Sequence, residues 1–192
     1  MLKDLLLLPN TLTLLRIALT PLFALSLYCG YPARMYTLAI FTIAALSDFY
    51  DGYFARKFKQ QTPQGAFLDP LADKALVITA FSMFALQGIV DWWVVALIIA
   101  RDIITTSIRL LLISSGTSLA TSSAGKWKTA LQFTIIYLVL FLLAFSKPAA
   151  DIPHAWRVVS LLVYCMAALT AYSGIMYLFD MFITLKIIRK EA

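Results

Sequence analysis

Four aspartates lie close together in the sequence, in two pairs on either side of a short polar segment. Asp48 and Asp51 are three residues apart and Asp69 and Asp73 are four apart, so the members of each pair share one face of a helix. The sequence on both sides of the cluster is apolar enough for membrane helices. Ionisable groups in such segments are energetically costly, and the cluster is therefore a candidate functional site.

The two pairs are joined by turn-forming residues, Gln60-Gln61-Thr62-Pro63-Gln64-Gly65, which end one helix and begin the next. The resulting hairpin brings four carboxylates together near one membrane surface. Four negative charges in a partly dry pocket repel one another, and bound cations relieve this repulsion better than protonation does. Because all the ligands are oxygens, the pattern predicts Mg²⁺ or Mn²⁺. Two ions are expected, since two-metal sites are common where phosphates are displaced.

Three further residues in this stretch suit a phosphorylated substrate. Gly52 and Ala55 are small where a substrate would approach the backbone, and Arg56 offers a planar fork to a phosphate. With Gly65, the stretch reads D-x2-D-G-x2-A-R-x8-G-x3-D-x3-D. It resembles the motif of the CDP-alcohol phosphotransferase family at every fixed position, a match with a chance probability of about 10⁻¹⁰ per starting position. Members of that family are membrane enzymes that move a phosphatidyl or similar group from a CDP-linked donor to an alcohol.

The resemblance implies roles for individual residues. The four aspartates would bind the metal ions, and Asp73, the last of them, would also act as the general base for the acceptor hydroxyl. The residues that would hold the nucleotide donor and its phosphates are Gly52, Ala55, Arg56, Thr62 and Gly65.

A polar stripe opens the first apolar segment, where Asn10, Thr13 and Arg16 follow one another at three-residue steps. Asn10 also suits the N-cap of a helix, and Arg16 is long enough to reach the lipid headgroups. The pattern N-x-x-T-x-x-R is similar to openings in the branch of the family that makes phosphatidylglycerol phosphate. By this resemblance, Asn10 and Thr13 are candidates for the donor site.

Basic residues in the second half of the chain are candidates for an acceptor site. Arg101, followed by Asp102, lies well inside an apolar segment, where it either pairs with an acid between helices or binds a phosphate. The pattern R-[D/E]-x6-R followed by G-K-x-K-T resembles the same branch of the family. This implies that Arg101, Arg109 and Lys126 bind the phosphate of a phosphorylated acceptor. Position 102 is aspartate where glutamate is expected, so its acid has a shorter reach.

The whole chain has the composition of an integral membrane protein, with 192 residues of which 61% are hydrophobic and a mean hydropathy of +0.85. The expected fold is all-α, with six transmembrane helices after a short N-terminal amphipathic segment. One membrane domain of the family would account for residues 1–192. The predicted spans are roughly Thr11–Cys29, Tyr36–Phe54, Leu68–Gly88, Trp92–Ile113, Thr129–Ser146 and Ala155–Ile183.

The basic residues predict the orientation of these spans. Six spans put both termini on one side, together with most lysines and arginines outside the apolar segments, whereas the opposite loops hold only Arg34, Lys147 and Arg157. By the positive-inside rule, the termini and the aspartate hairpin face the cytoplasm of a multi-pass inner-membrane protein. Nucleic acid is not an expected partner, because the basic residues ring a membrane rather than line one face. The resemblance further implies a homodimer.

The expected activity is transfer of the phosphatidyl group from CDP-diacylglycerol to glycerol 3-phosphate, giving phosphatidylglycerol phosphate and CMP. Other acceptors stay open within the family: inositol phosphate, serine, or phosphatidylglycerol in a cardiolipin synthase. Two other classes also use buried carboxylates. An intramembrane prenyltransferase holds a diphosphate with D-x-x-D motifs and Mg²⁺, but it needs more spans and two distant motifs. An ion or proton transporter usually shows internal repeats and places its acids near the membrane midplane.

Overall fold

The computed structural model describes residues 8–30, 34–57, 63–114, 123–145 and 153–191. These residues form six helices and contain no strand, which confirms the predicted all-α class. The predicted N-terminal amphipathic segment and Thr62 lie outside the described residues. The helices are α1 (Leu8–Tyr28), α2 (Arg34–Lys57), α3 (Pro63–Leu86), α4 (Trp92–Ser114), α5 (Ser123–Phe145) and α6 (Pro153–Glu191).

Each predicted span coincides with one of these helices. The shortest, α1, has 21 residues, and about 20 residues are enough to cross the hydrocarbon core of a bilayer. The largest difference is in α6, which continues to Glu191 rather than ending near Ile183. Its basic tail consists of residues that tolerate helix and contains no glycine or proline, so nothing in it stops the helix.

Two helices contain stretches that are long and apolar enough to cross a membrane, Thr11–Tyr28 in α1 and His154–Phe179 in α6. Shorter apolar stretches occur in α2, α3 and α5. Charged residues interrupt the apolar sequence of α4, which carries Arg101, Asp102 and Arg109. The described helices are therefore consistent with a membrane protein.

A short turn reverses the chain between α3 and α4. At the end of α3, Gly88 has a φ of 71°, the left-handed conformation that glycine adopts without a steric penalty. The amide of Ile89 donates to the carbonyl of Phe84 at 2.9 Å, and that of Gly88 donates to Ala85 at 3.0 Å. This pair of hydrogen bonds is a Schellman motif, which satisfies the last carbonyls of the helix.

The core is formed where α1, α2 and α5 meet and continues into α3, α4 and α6. Helix α1 packs against α2 and α3, α5 packs against α2, α3 and α6, and α4 packs against α3 and α6. The ring of Phe41 lies 5.6 Å from that of Phe23 and 5.1 Å from that of Tyr137, measured between centroids. These aromatic contacts fix the relative positions of the helices that carry the candidate site residues.

Candidate active site

Both aspartate pairs lie on the parts of α2 and α3 that adjoin the connection between them. Asp48 and Asp51 occupy the last three turns of α2, and Asp69 and Asp73 lie in the first three turns of α3. Gly52, Ala55 and Arg56 also belong to the end of α2, and Gly65 to the start of α3. The two helices thus flank the connection as the sequence predicts, while residues 58–62, which join them, lie outside the described part of the structure. The side chains of these eight residues are outside the described part of the structure.

Helix α1 runs antiparallel to α2, and two contacts give their register. The hydroxyl of Thr37 donates to Ser26 Oγ at 2.9 Å, and the ring of Phe23 lies against that of Phe41 in a tilted arrangement. Counting along the helices from these contacts at 1.5 Å per residue, Arg16 is level with Ser47, that is, at the same height along the helix axes. Thr13 is about level with Asp51. The part of α1 that carries Thr13 and Arg16 thus lies beside the acidic end of α2.

Helix α1 also packs against α3, and the two run in the same direction. Gln87 Nε2, just beyond α3, donates to the carbonyl of Leu27 at 3.3 Å. The same counting puts Asp73 within about one helical turn of Thr13. Because Thr13 is level with Asp51 as well, α1 brings the acidic segments of both helices to one height in the bundle.

The side chains of α1 at this height are enclosed by protein. Thr13 is 1% exposed and Arg16 is 0% exposed. Arg16 therefore does not extend to the lipid headgroups, which corrects that expectation from the sequence. A guanidinium is tolerated inside a protein only beside acceptors or anions. The burial of Arg16 therefore indicates that polar or anionic groups surround it at this height of the bundle. Asn10 is not the N-cap of α1, because Leu8 and Pro9 are already helical.

The residues at this end of the hairpin fit the binding of a hard divalent cation. Their donor set consists of carboxylate oxygens on two helices, at i, i+3 and i, i+4 spacings that keep each pair on one face. The enclosed side chains of α1 lie alongside both acidic segments. The two acidic segments are therefore rich in oxygen ligands and lie at the height of the buried side chains of α1.

Lys74 connects the acidic end of α3 to α4. Its Nζ donates to the carbonyl of Asp102 at 3.2 Å and to the hydroxyl of Thr106. The Thr106 hydroxyl in turn donates to the carbonyl of Asp102 at 2.7 Å. Lys74 directly follows Asp73 in the chain, so these bonds hold the last aspartate of the motif close to the middle of α4. The sequence places a lysine next to Asp73 but does not specify its partners across the helix interface.

The register of α3 and α4 places the basic residues of α4 relative to the aspartates. Counting from the Lys74 contacts, Arg109 is about level with Asp69, and Arg101 lies about one turn farther from the α2–α3 connection than Asp73. The backbone of α4 thus brings both arginines to the height of the second aspartate pair. The side chain of Arg109 is outside the described part of the structure.

Arg101 forms an ion pair with its neighbour in the chain. Its Nη1 lies 3.0 Å from Asp102 Oδ1. Among the residues that the structure describes, the acid that pairs with Arg101 is thus on α4 itself, and the short reach of an aspartate is sufficient for this pair. The Nε atom of Arg101 is buried and makes no hydrogen bond with the residues that the structure describes. One edge of the guanidinium remains for another acceptor.

Helix α5 brings Lys126 to the same end of the bundle. Helices α4 and α6 run in the same direction, because Trp93 stacks on Tyr164 and Arg101, farther along α4, packs on Gly174, farther along α6. Helix α5, which joins them in the chain, runs in the opposite direction. The contacts of Phe41 with Tyr137 and Phe133 then put Lys126, in the first turn of α5, about level with Asp51. The backbone positions of the acidic pairs and of the three basic residues therefore lie toward the same end of the bundle. Thr62 cannot be placed in this arrangement.

Comparison with known proteins agrees with the residue pattern. A family model described as CDP-alcohol phosphatidyltransferase matches residues 6–185. The chain is 38% identical over 176 residues to a CDP-diacylglycerol–glycerol-3-phosphate 3-phosphatidyltransferase of Yersinia pestis, covering 88% of this chain and 92% of the relative. It is 40% identical over 139 residues to a protein of the same description from Pectobacterium atrosepticum (69% and 76%). It is also 39% identical over 145 residues to a probable phosphatidylglycerophosphate synthase of Mycobacterium tuberculosis (73% and 68%).

Proposed function

The chain belongs to the CDP-alcohol phosphatidyltransferase family, and we propose that it transfers the phosphatidyl group of CDP-diacylglycerol to the sn-1 hydroxyl of glycerol 3-phosphate. The observation that carries this proposal is the similarity to transferases named for this reaction over 88% of the chain. Membership of a phosphatidyltransferase family also decides against the prenyltransferase and transporter alternatives. The products are phosphatidylglycerol phosphate and CMP.

In this proposal the aspartate hairpin holds two divalent ions, Mg²⁺ or Mn²⁺, through Asp48, Asp51, Asp69 and Asp73. When bound, the ions supply positive charge that offsets the charge of the donor pyrophosphate and of the leaving CMP. The common height of the two acidic segments along α1 supports this assignment. It also explains why so many carboxylates are concentrated in an otherwise apolar chain.

The CDP-donor is held by residues around the same hairpin. Arg56 contributes a fork for a phosphate, and Gly52 and Ala55 allow close approach to the backbone. The burial of Thr13 beside the acidic segments supports a donor role for the α1 stripe. The complete proposed donor set is Asn10, Thr13, Gly52, Ala55, Arg56, Thr62 and Gly65.

The proposed chemical step is a displacement at the phosphorus of the phosphatidyl group. Asp73 accepts the proton of the glycerol hydroxyl, whose oxygen forms the new bond to phosphorus. The bond from that phosphorus to the oxygen of CMP breaks, and CMP leaves with the electron pair. Lys74 supports this role, because its bonds to α4 fix the backbone next to Asp73.

Arg101, Arg109 and Lys126 bind the phosphate of the acceptor. Their positions on α4 and α5 are at the height of the aspartates or one turn away. Three cations beside the general base would favour an acceptor alcohol that itself carries a phosphate. Arginine is suited to this task because its planar fork matches the geometry of phosphate oxygens.

The proposed protein is a single membrane domain, in which all six helices cross the inner membrane. Each described helix is long enough to do so, and consecutive helices reverse direction. The distribution of lysine and arginine favours cytoplasmic termini and a cytoplasmic active site, where CMP would be released. A homodimer is proposed from the family resemblance.

Product analysis with competing acceptors tests the proposed reaction. Purified protein is given labelled CDP-diacylglycerol with equal concentrations of glycerol 3-phosphate, inositol phosphate, serine and phosphatidylglycerol, and lipid products are separated by thin-layer chromatography. Phosphatidylglycerol phosphate is the expected main product. A different phospholipid as main product would keep the family but replace the acceptor.

A further inference from the structure

Tyr177 on α6 has a buried hydroxyl that no described residue of the protein contacts by a hydrogen bond. The residue is 7% exposed and packs with Ile108 of α4, against Leu178 and Met181. Its hydroxyl is buried and makes no hydrogen bond with any residue that the structure describes. By contrast, the hydroxyl of Tyr164, earlier on the same helix, donates to Asp91 Oδ2 at 3.0 Å.

Burying a hydroxyl without a partner destabilises a protein, because the group loses its hydrogen bonds to water. Phenylalanine would fill the same space among Ile108 and Met181 without that cost. Other hydroxyls on this part of α6 are satisfied locally. Thr170 donates to the carbonyl of Met166 at 2.7 Å. The hydroxyl of Tyr177 is therefore available for a bound molecule.

The position of Tyr177 relates it to the candidate acceptor site. Gly174, one turn earlier on the same face of α6, packs directly against the side chain of Arg101. Tyr177 is therefore on the face of α6 that meets α4. Counting through α4 and its contacts with Lys74, Tyr177 is about level with Asp73.

Two buried donors thus lie on facing sides of the α4–α6 contact: the Tyr177 hydroxyl and the Nε of Arg101. A ligand that satisfies both must offer several acceptor oxygens, and the charge of the guanidinium favours an anion. A phosphate group meets both conditions. A neutral alcohol group, by contrast, offers a single oxygen and no negative charge for the guanidinium of Arg101.

We propose that Tyr177 is a substrate-binding residue that donates a hydrogen bond to the phosphate of the acceptor, beside Arg101. This inference rests on the proposed reaction, in which that acceptor is glycerol 3-phosphate. It adds a neutral donor on α6 to the cations on α4 and α5. Sequence reasoning missed this residue because a tyrosine in an apolar helix has the same pattern whether or not its hydroxyl is used.

The test is Tyr177→Phe, with Tyr164→Phe as the matched control on the same helix. In Tyr177→Phe the KM for glycerol 3-phosphate should rise about tenfold, the loss expected for a hydrogen bond to a charged group. The KM for CDP-diacylglycerol should stay unchanged and thermal stability should not fall. In Tyr164→Phe, loss of the bond to Asp91 should lower thermal stability without changing either KM.

Unchanged KM values in Tyr177→Phe, with equal or higher thermal stability, would overturn the inference, because the hydroxyl would then be an unused buried group. A rise in the KM for CDP-diacylglycerol alone would also overturn it. KM does not depend on the fraction of active enzyme, so partial loss of folded protein leaves the test readable. Titration calorimetry with glycerol 3-phosphate gives a second readout, in which Tyr177→Phe should bind about tenfold more weakly.

The calorimetric readout separates failure of the inference from failure of the proposed reaction. If the wild-type enzyme releases no CMP with glycerol 3-phosphate, the proposed reaction is wrong, and Tyr177 is judged by binding alone. Weaker binding by Tyr177→Phe than by Tyr164→Phe would then still support a phosphate site. Equal binding by the two variants would overturn it.

Discussion

The Cγ atom of Arg101 lies 3.2 Å from the position that a Cβ on Gly174 would occupy. At this distance the aliphatic part of the arginine lies directly on the backbone of α6, and any side chain at position 174 would have to displace it. Gly174 has ordinary helical geometry. A glycine is therefore suited to this position because it lets the Arg101 side chain approach the backbone of α6, and not because of an unusual backbone conformation. The contact fixes the course of Arg101 across the α4–α6 interface.

Gly174→Ala should therefore shift Arg101 and raise the KM for glycerol 3-phosphate several-fold, with little change in the KM for CDP-diacylglycerol. Thermal stability should change little, because two effects oppose each other. Alanine stabilises a helix by about 1 kcal/mol relative to glycine, whereas the displacement of Arg101 is destabilising. A double-mutant cycle checks the mechanism. In an Arg101→Ala background, Gly174→Ala should add almost nothing to KM. A full additional effect there would mean that Gly174 acts independently of Arg101.

The contacts of Lys74 lead to a prediction about the α3–α4 interface. Lys74→Met keeps the aliphatic stem but removes the donor to the Asp102 carbonyl and the Thr106 hydroxyl. It should lower thermal stability and reduce kcat by about tenfold, equivalent to 1.4 kcal/mol, because Asp73 is no longer held against α4. Thr106→Val removes only part of this connection and should show a smaller change in the same direction. If Thr106→Val is neutral while Lys74→Met is severe, Lys74 acts through the Asp102 carbonyl or another group rather than through Thr106.

The sequence predicted the helices and the acidic hairpin but not the neighbours of each helix. Hydropathy and the spacing of the aspartates are local properties, and they are sufficient for helix positions and for the shared face of each pair. The packing of α1 on both α2 and α3 depends on contacts far apart in sequence, such as Gln87 with Leu27. For that reason the burial of Arg16 was not predicted.

Pairing of charged side chains was likewise only half predictable. An arginine inside an apolar helix implies an anionic partner, but the partner depends on rotamers that the sequence does not specify. Among the described residues, the acid that pairs with Arg101 is Asp102, its neighbour in the chain. The roles of the aspartates and of Arg56 stay predictions, because they depend on side chains outside the described residues.

The assignment of Asp73 as general base predicts a difference among the aspartates. Asp73→Asn should reduce kcat by about 10²–10⁴-fold, the range for loss of a general base, while the three remaining carboxylates preserve part of the donor binding. Asp48→Asn and Asp51→Asn should instead weaken donor binding and raise the metal concentration needed for activity. Titration of activity against Mg²⁺ and Mn²⁺, together with kcat and KM for both substrates, distinguishes the two patterns. Identical profiles for all these variants would contradict a separate role for Asp73.

The proposed topology predicts which single cysteines can be labelled from each side of the membrane. In a background without Cys29 and Cys165, a cysteine at Lys126 or Lys190 should react with a membrane-impermeant reagent only from the cytoplasmic side. A cysteine at Lys147 should react only from the opposite side. Right-side-out vesicles expose the outer side of the membrane to the reagent, and inverted vesicles expose the cytoplasmic side. Labelling of positions 126 and 147 from the same side would contradict six spans.

The most direct test of the proposed reaction is release of labelled CMP from CDP-diacylglycerol by the purified protein. We expect release that requires glycerol 3-phosphate, matches the phosphatidylglycerol phosphate formed mole for mole, and stops on chelation of divalent metal with EDTA. Restoring Mg²⁺ or Mn²⁺ should restore it, and Asp69→Asn should remove most of it under the same conditions. Full CMP release by metal-free protein in EDTA, or release that does not depend on glycerol 3-phosphate, would contradict the account.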